Sequence, residues 1–228
     1  MNLTNILSDG CTIYTSGTTG TPKEIRQTPA KLKAADEIAM KCQEITPDSK
    51  IYTICKTDHA GGLLAQTLPA VRIGAEVTIE PFNAFRFCRE IKKYTHTHIT
   101  PGHAQLIMRT KGFKDLDMTG VWVTCGSDPI DWNIIESFVN RGATFMANWG
   151  MTEVGPCAIN QVFRTIEDVQ RVKGKNAILG TNVYCETKVI DSELYVRGDI
   201  CVYDDWFATG DLVEEREYAF YYLGRTDK

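Results

Sequence analysis

A run of small and hydroxyl-bearing residues ends in a lysine near the amino terminus of the chain. The segment YTSGTTGTPKEI (14–25) places Gly, Ser and Thr at positions 16–21, followed by Pro22 and Lys23. Small residues let a backbone approach phosphate oxygens, hydroxyls add hydrogen-bond donors, and a lysine supplies a compact positive charge. The spacing differs from GxxxxGK[ST], because Thr21 and Pro22 separate the second glycine from the lysine. The segment indicates a phosphate-binding turn of another kind, with a flexible, solvated turn as the alternative.

The histidines and cysteines do not have a pattern typical of a metal site. His96 and His98 have the HxH spacing that puts both rings on one face of a strand, but only His103 could join them. The eight cysteines lack the CxxC spacing of zinc and redox sites and fall mostly in apolar runs. We therefore expect the cysteines to be reduced core residues and the histidines to bind no metal.

Alternating helices and strands would position these side chains. A short strand is predicted before residue 16, a helix directly after Lys23, and an amphipathic helix over 31–45. Asn83 and Gly142 stand where a helix cap and a helix stop are expected. Further helices are predicted at 62–72, 83–94, 103–110 and 131–141, and strands at 51–55, 75–80, 98–100, 120–125 and 143–147. This alternation predicts an α/β fold with a mostly parallel sheet flanked by helices.

From about residue 161 the pattern changes to short β-rich runs separated by acidic or glycine turns. These runs predict a small antiparallel β unit after the parallel sheet. We therefore divide the chain into an α/β core (1–160) and a small β subdomain (161–228).

Composition limits the possible partners of the protein. The 228-residue chain has a formal net charge of −4 and a pI of about 5.6, so it offers no basic field for nucleic acid or an anionic membrane. The amino terminus lacks a basic region followed by an apolar run, and there is no stretch of apolar residues long enough to span a bilayer. A cytoplasmic protein without nucleic-acid or membrane partners is expected.

Several motifs in order resemble those of the AMP-binding, or adenylate-forming, superfamily, which includes acyl-CoA synthetases, peptide adenylation domains and luciferases. The segment TSGTTGTPK (15–23) is similar to the family signature, and NWGMTE (148–153) to its aromatic-Gly-x-Thr-Glu motif. The other matches are DHAGG (58–62), GSDPI (126–130), SELYVRG (192–198), FATGD (207–211) and YYLGRTDK (221–228). The resemblance covers residues 14–228 and implies activation of a carboxylic acid with ATP, Mg²⁺ and, in acid-CoA ligases, coenzyme A.

The resemblance also implies roles for individual residues. Lys23, Thr152, Glu153 and His59 would be catalytic, with Thr152 on the α-phosphate and Glu153 holding magnesium. A carboxylate is a natural partner for vicinal ribose hydroxyls, so Asp211 would grip the ribose together with Arg225. The nucleotide would be bound by Thr15, Ser16, Gly17, Thr18, Thr19, Gly20, Lys23, Gly126, Ser127, Asp128, Asn148, Trp149, Gly150, Met151, Thr152, Asp211 and Arg225.

Two of these positions depart from the family pattern. Trp149 stands where a tyrosine is usual, and Ser127 replaces the second glycine of the Gly-Gly-Ala-Pro-Leu turn. Trp149 could offer its ring to the adenine or could simply pack in the core. Asp211 and His59 could likewise be a turn residue and a structural histidine.

The acid would bind near His59, the region 100–103 and the turn at Cys125 and Gly126, as in the family. Asp58 is the nearest carboxylate, and no acidic anchor for an α-amino group stands out. A fatty or an aromatic carboxylic acid is therefore the expected substrate.

Family members continue past the GRxD motif into a lid with a catalytic lysine, whereas this sequence ends one residue after Asp227, the hinge position. Losing a transition-state cation lowers the rate more than the affinity, so we expect slow adenylation unless a partner supplies the lid. The alternatives are a binding module for a nucleotide or acyl-adenylate and a scaffold protein. A homo-oligomer is also expected, because a missing amino-terminal segment would uncover apolar surface.

Overall fold

The computed structural model describes residues 2–15 and 23–226. The strands are β1 (Cys11–Thr15), β2 (Lys23–Gln27), β3 (Lys50–Thr53), β4 (Glu76–Ile79), β5 (His96–Ile99), β6 (Trp122–Cys125), β7 (Thr144–Met151), β8 (Gly155–Phe163), β9 (Ile178–Gly180), β10 (Asn182–Val183), β11 (Glu186–Ile190), β12 (Glu193–Arg197), β13 (Phe207–Arg216) and β14 (Ala219–Arg225). The helices are α1 (Leu3–Asp9), α2 (Pro29–Gln43), α3 (Ala60–Leu64), α4 (Thr67–Arg72), α5 (Ala84–Glu90), α6 (Pro101–Met108), α7 (Lys111–Lys114), α8 (Trp132–Val139) and α9 (Ile166–Val172), with a 3₁₀ turn at Ile91–Lys93.

The described strands form a large sheet in the order β10-β8-β7-β6-β5-β3-β4. The pairs from β4 through β7 are parallel, and β8 and β10 are antiparallel additions at one edge. A second, antiparallel sheet has the order β11-β12-β13-β14-β9 and is called here the small sheet. The predicted α/β class, with a mostly parallel sheet and a small antiparallel unit, is confirmed.

Both faces of the large sheet are covered because successive side chains of a strand point in opposite directions. Trp122 and Met146 pack with Ala39 of α2 on one face. Val123, next to Trp122, packs with Phe138 of α8 on the other. Because the sheet is covered on both faces, β6 in its middle is buried at every position.

The segment after Lys23 corrects one prediction. A helix was expected there, but residues 23–27 form β2, which pairs antiparallel with β1 in a hairpin. Ile25 and Gln27 are buried whereas Lys23 and Glu24 are exposed, the alternation of a strand that covers the body on one side. The helix begins only at Pro29, where the Thr28 side chain accepts a hydrogen bond from Lys31 N.

The other predicted helices are present with altered bounds. Asn83 caps α5 as expected, since its side chain accepts a hydrogen bond from Arg86 N. The stretch predicted as one helix at 62–72 is divided into α3 and α4 at Gln66, whose buried amide donates to Gln43 and Thr124. Within the described ranges, none of the helices has the length and apolar character needed to cross a membrane.

The two sheets share their apolar cores. Ile178 and Tyr221 of the small sheet are buried with Trp132 and Phe163 from the other side of the boundary. The small sheet begins with β9 at Ile178, whereas β8 and β10 still belong to the large sheet. The division of the chain at residue 160 remains a prediction.

Candidate active site

A cleft of about 1840 Å³ opens between the carboxyl ends of the parallel strands, the hairpin and the small sheet. Ligands of open α/β sheets bind at this end of the strands. The cleft is lined by the predicted site residues Thr15, Lys23, His59, Ser127, Asp128, Asn148, Trp149, Gly150, Met151, Thr152, Glu153, Asp211 and Arg225. The predicted residues Ser16, Gly17, Thr18, Thr19 and Gly20 lie outside the described residues, as does the hinge residue Asp227.

The hairpin brings Lys23 to the cleft. Thr15 and Lys23 are directly paired across β1 and β2, so the chain leaves and re-enters the hairpin at the cleft wall. The Lys23 ammonium lies 3.5 Å from Glu153 Oε1, and the Tyr203 side chain and then Glu153 raise the pKa of Lys23. Lys23 is therefore charged at neutral pH, and its side chain is half exposed to the cleft.

Thr152 and Glu153 sit in the connection between β7 and β8. The Thr152 carbonyl accepts a 2.7 Å hydrogen bond from Gln27 Nε2, which joins this turn to the hairpin. The Glu153 carbonyl accepts from Val202 N, and its side chain is only 10% exposed. Mg²⁺ at phosphoryl sites is held by one or two carboxylates together with substrate phosphates. The Glu153 carboxylate at the cleft wall, next to a lysine that can meet phosphate, fits that donor set.

The turn after β6 has a backbone that only certain residues can adopt. A Cβ on Gly126 would lie 2.6 Å from the Asn148 carbonyl oxygen, so this position has no room for a side chain. Ser127 follows with a φ of 84°, an uncommon conformation for a residue other than glycine. The Asn148 Oδ1 atom is buried without a hydrogen-bond partner among the described residues. An acceptor of this kind in the cleft wall is suited to an exocyclic amino group such as that of adenine.

Asp211 of the small sheet bonds to two side chains, one of which lies on the large sheet. Its Oδ2 accepts a 2.9 Å hydrogen bond from Trp149 Nε1, and its Oδ1 accepts a 2.8 Å bond from Arg225. Arg225 also donates to the Thr209 carbonyl. Burial raises the pKa of Asp211, while the indole and the guanidinium oppose that rise. Each carboxylate oxygen retains acceptor capacity, so the group can still bind a diol.

Trp149 packs in the core, one of the two roles expected for it, and also makes a polar contact. Its side chain is buried with Val154, Leu194 and Val196 between the two sheets, and its N–H is used by Asp211. The sequence does not reveal this bond, because Trp149 and Asp211 are far apart in the chain. Stacking of the indole on a base stays a prediction.

The opposite end of the cleft is lined by three histidines and a cysteine. His59 precedes α3, its side chain is 65% exposed, and its Nε2 lies 3.7 Å from Asp58. His103, in the region expected to line the acid pocket, and His98, considered above only as a metal ligand, line the cleft together with Cys55. A His-x-His strand followed by Thr-Pro, a helix start, was the available signal.

Residues 10–210 match the family described as AMP-binding enzyme. This match covers most of the chain. The chain belongs to the AMP-binding enzyme family.

Two of the similar curated proteins are named as acid–CoA ligases. The chain is 26% identical to an indoleacetate–CoA ligase of Aromatoleum aromaticum over 230 residues, covering 87% of this chain and 44% of the relative. It is 24% identical to the human mitochondrial malonate–CoA ligase ACSF3, covering 94% of this chain and 47% of that protein. The chain thus spans about half the length of the curated relatives it matches.

Solved structures share the AMP-binding fold. The amino-terminal domain of FACL13 from Mycobacterium tuberculosis superimposes with a TM-score of 0.79 at 19% identity, covering 94% of this chain and 60% of that one. The o-succinylbenzoate CoA synthetase MenE of Bacillus subtilis, in complex with the acyl-adenylate intermediate OSB-AMP, gives 0.79 at 21% identity, covering 96% and 62%. At such identities the likeness shows the fold.

Proposed function

We propose that this chain binds ATP and a carboxylic acid and joins them into an acyl-adenylate. The observation that carries the proposal is the single cleft that presents Lys23, Glu153 and the Asp211–Arg225 pair together. These groups match the three needs of the reaction, which are a cation for phosphate, a carboxylate for a metal ion and an acceptor for ribose hydroxyls.

In the proposed reaction, a carboxylate oxygen of the acid attacks the α-phosphorus of ATP. The bond from that phosphorus to the bridging oxygen breaks, and pyrophosphate leaves with its electron pair. The chemistry therefore depends on positioning and on charge stabilisation rather than on a protein nucleophile. Lys23 would neutralise phosphate charge, and Thr152 would offer its hydroxyl to the α-phosphate. Magnesium, held by Glu153, would neutralise further phosphate charge when bound.

The same proposal covers the class of carboxylic acid and coenzyme A as the acceptor of the acyl group. Relatives named indoleacetate–CoA ligase and feruloyl-CoA synthase support an aromatic acid, and acyl-CoA synthetases in general allow a fatty one. Transfer of the acyl group to coenzyme A would follow adenylation, with AMP as the leaving group. His59, exposed at the start of α3, would lie beside the acid.

The decisive experiment is acid-dependent exchange of labelled pyrophosphate into ATP. We expect exchange with the wild-type chain and a loss of at least roughly a hundred-fold in Glu153→Gln, because one transition-state electrostatic contact is worth about 3 kcal/mol. Glu215→Gln, an exposed carboxylate at the end of β13, serves as the matched control and should leave exchange unchanged. Wild-type protein that binds ATP but shows no exchange with any acid would contradict the proposal.

A second candidate is a module that binds a nucleotide or acyl-adenylate without turnover. The Lys23–Glu153 ion pair favours it, since the two candidate catalytic charges already compensate each other. Hydroxylamine distinguishes the two candidates because it converts an activated acid into a hydroxamate. Hydroxamate accumulation with ATP present supports the enzyme, whereas nucleotide binding without hydroxamate supports the module.

A further inference from the structure

The acid end of the cleft contains a buried polar group that the protein itself leaves unbonded. His98 on β5 lines the cleft with a side chain that is only 5% exposed. Its Nδ1 atom has no hydrogen-bond partner among the described residues. Leaving a buried polar atom unpaired costs about 1–3 kcal/mol, a cost that a bound ligand can recover.

The side chains near His98 carry no charge, and two of them are flat rings. Gly61 approaches the ring so closely that a Cβ there would lie 2.8 Å from His98 Cε1. His103 stacks on Phe82 with ring centroids 4.1 Å apart, and its Nδ1 lies 3.6 Å from Cys55 Sγ. A pocket wall made of flat rings favours a ligand that is itself an aromatic ring.

Strand order separates this end from the nucleotide end. His98 lies on β5, Cys55 follows β3 and Phe82 follows β4, whereas Asn148 and Trp149 lie on β7. In the sheet, β6 lies between β5 and β7, and β3 and β4 lie farther from β7 still. With about 4.8 Å between neighbouring strands, these positions are on the order of 10–20 Å from β7, the length of an aryl acid attached to an adenylate.

Among the described residues, the buried groups at this end offer no positive charge to a second acidic group. Among the described residues that line the cleft, the lysines and arginines are Lys23, Lys56 and Arg225. Lys23 is paired with Glu153, Arg225 with Asp211, and Lys56 is exposed. Burial lowers the pKa of His98 to about 4 and also lowers that of His103, so both rings are neutral at pH 7. Neutral imidazoles can donate or accept one hydrogen bond but do not compensate a buried carboxylate.

We propose that the acid is an aromatic monocarboxylic acid whose ring bears a hydroxyl group, and that the His98 imidazole recognises that hydroxyl. This inference rests on the proposed function, because it concerns the ring of the same acid whose carboxylate is activated. That ring lies at the end of the acid remote from the carboxylate. His98 is then a specificity-determining residue, and the stacked Phe82–His103 pair forms one wall of the ring pocket.

The test is a series of matched acids whose binding is measured by calorimetry with α,β-methylene ATP and Mg²⁺ present. The series contains phenylacetic acid, its 3-hydroxy, 4-hydroxy and 4-methyl derivatives, 4-carboxyphenylacetic acid and decanoic acid. We expect one hydroxylated acid to bind roughly ten-fold tighter than phenylacetic acid, the effect of one satisfied buried hydrogen bond. The methyl, carboxy and decanoic compounds should bind no tighter than phenylacetic acid.

Variants then assign the preference to one side chain. His98→Phe keeps a flat ring without nitrogens and should reduce the hydroxyl preference to about one-fold while ATP binding is kept. His98→Asn retains hydrogen-bonding capacity and should keep part of the preference. His96→Gln is the matched control on the same strand, since His96 bonds to the Gln43 carbonyl and does not line the cleft. Melting curves establish that each variant is folded.

The outcomes separate this inference from the proposed function. Equal binding of phenylacetic acid and both hydroxylated acids to the wild type, tighter binding of the diacid or decanoic acid, or an unchanged preference in folded His98→Phe would each overturn it. A hydroxyl preference without pyrophosphate exchange supports the acid subsite and contradicts adenylation. Exchange without the preference supports adenylation and rejects the subsite.

Discussion

At the scale of single residues, the polar groups of the cleft act in pairs that come from different elements. Lys23 of the hairpin meets Glu153 of the connection between β7 and β8, and Trp149 meets Asp211 across the two sheets. Each pair fixes the direction of a group that would bind nucleotide. Holding a charged group in place before the ligand arrives reduces the entropy lost on binding.

The bond from Trp149 to Asp211 leads to a prediction about nucleotide recognition. Trp149→Phe removes the indole donor and keeps an aromatic ring, so Asp211 loses one of the two contacts that oppose the rise of its pKa. We expect the preference for ATP over 2′,3′-dideoxy-ATP to fall by roughly ten-fold, the worth of a hydrogen bond to a charged group. Calorimetric titration of both nucleotides provides the measurement.

The pH dependence of ATP binding separates positioning of Asp211 from loss of packing. Burial already raises the pKa of Asp211, and only the ionised carboxylate accepts both ribose hydroxyls, so ATP affinity should fall as the pH drops through that pKa. In Trp149→Phe the fall should begin at a higher pH. Trp206→Phe, near Lys188 and Arg197 on the small sheet, is the control. An unshifted pH profile would show that the indole only fills space.

The residues that the sequence identified are those whose chemistry is visible in a short segment. Lys23, Glu153 and Asp211 stand in motifs of small residues, and all three line the cleft. His98 was not identified as a recognition residue, because its unpaired nitrogen depends on the close approach of Gly61 from α3. Such contacts are made by packing and leave no pattern along the chain.

At the scale of elements, local pattern predicted α2 well and β2 poorly. The helix α2 has apolar residues at helical spacing as far as buried Cys42, so its own sequence is enough to show the helical period. The segment KEIRQ of β2 contains residues with good helix propensity and owes its strand conformation to pairing with β1. Pairing with another strand overrides propensity, and reasoning from a single segment does not include that pairing.

The contact of α2 with α4 gives a prediction about stability. Asp36 on α2 is fully buried and bonds to Arg72 on α4, yet burial outweighs the arginine and raises the pKa of Asp36 to about 6 from 3.8. A raised folded-state pKa means that the stability contribution of this group is fully present below about pH 3.8 and is lost as the pH rises through about 6. Asp36→Asn removes that titration.

We therefore expect Asp36→Asn and the wild type to have equal free energies of unfolding near pH 4. By pH 7 the variant should be more stable by on the order of 2 kcal/mol. Urea unfolding of both proteins at several pH values measures the difference. Asp48→Asn, an exposed change in the turn after α2, should show no pH-dependent difference. If Asp36→Asn becomes less stable than the wild type as the pH rises, the Arg72 pairing outweighs burial.

At the scale of the whole molecule, the cleft exists because the two sheets are held at a fixed distance. Their junction includes β9 against β8, where Gly180 lies so close to Asn160 that an added Cβ would be 2.1 Å from its carbonyl oxygen. Residues from both sheets are also buried together in the main cores. A core that crosses the junction predicts that both sheets unfold in one cooperative transition.

Gly180 and Gly224 offer a matched pair for testing that junction. Both have similar backbone angles, with φ values of 149° and 152°, but a Cβ at Gly224 meets no atom within 4 Å. Gly180→Ala must therefore separate two backbones in addition to straining its own, and should lower the free energy of unfolding by about 2 kcal/mol more than Gly224→Ala. Urea unfolding followed by tryptophan fluorescence and by far-ultraviolet circular dichroism measures both the loss of stability and the cooperativity of unfolding.

Equal losses in the two variants would mean that the sheets approach each other less closely than this junction requires. Transitions that separate in wild-type protein would show two units that fold independently. A junction that holds as described would also link stability to binding. ATP should then raise the unfolding midpoint of Gly180→Ala less than that of Gly224→Ala, because Asp211 and the Trp149 indole that bonds to it come from opposite sides of the junction.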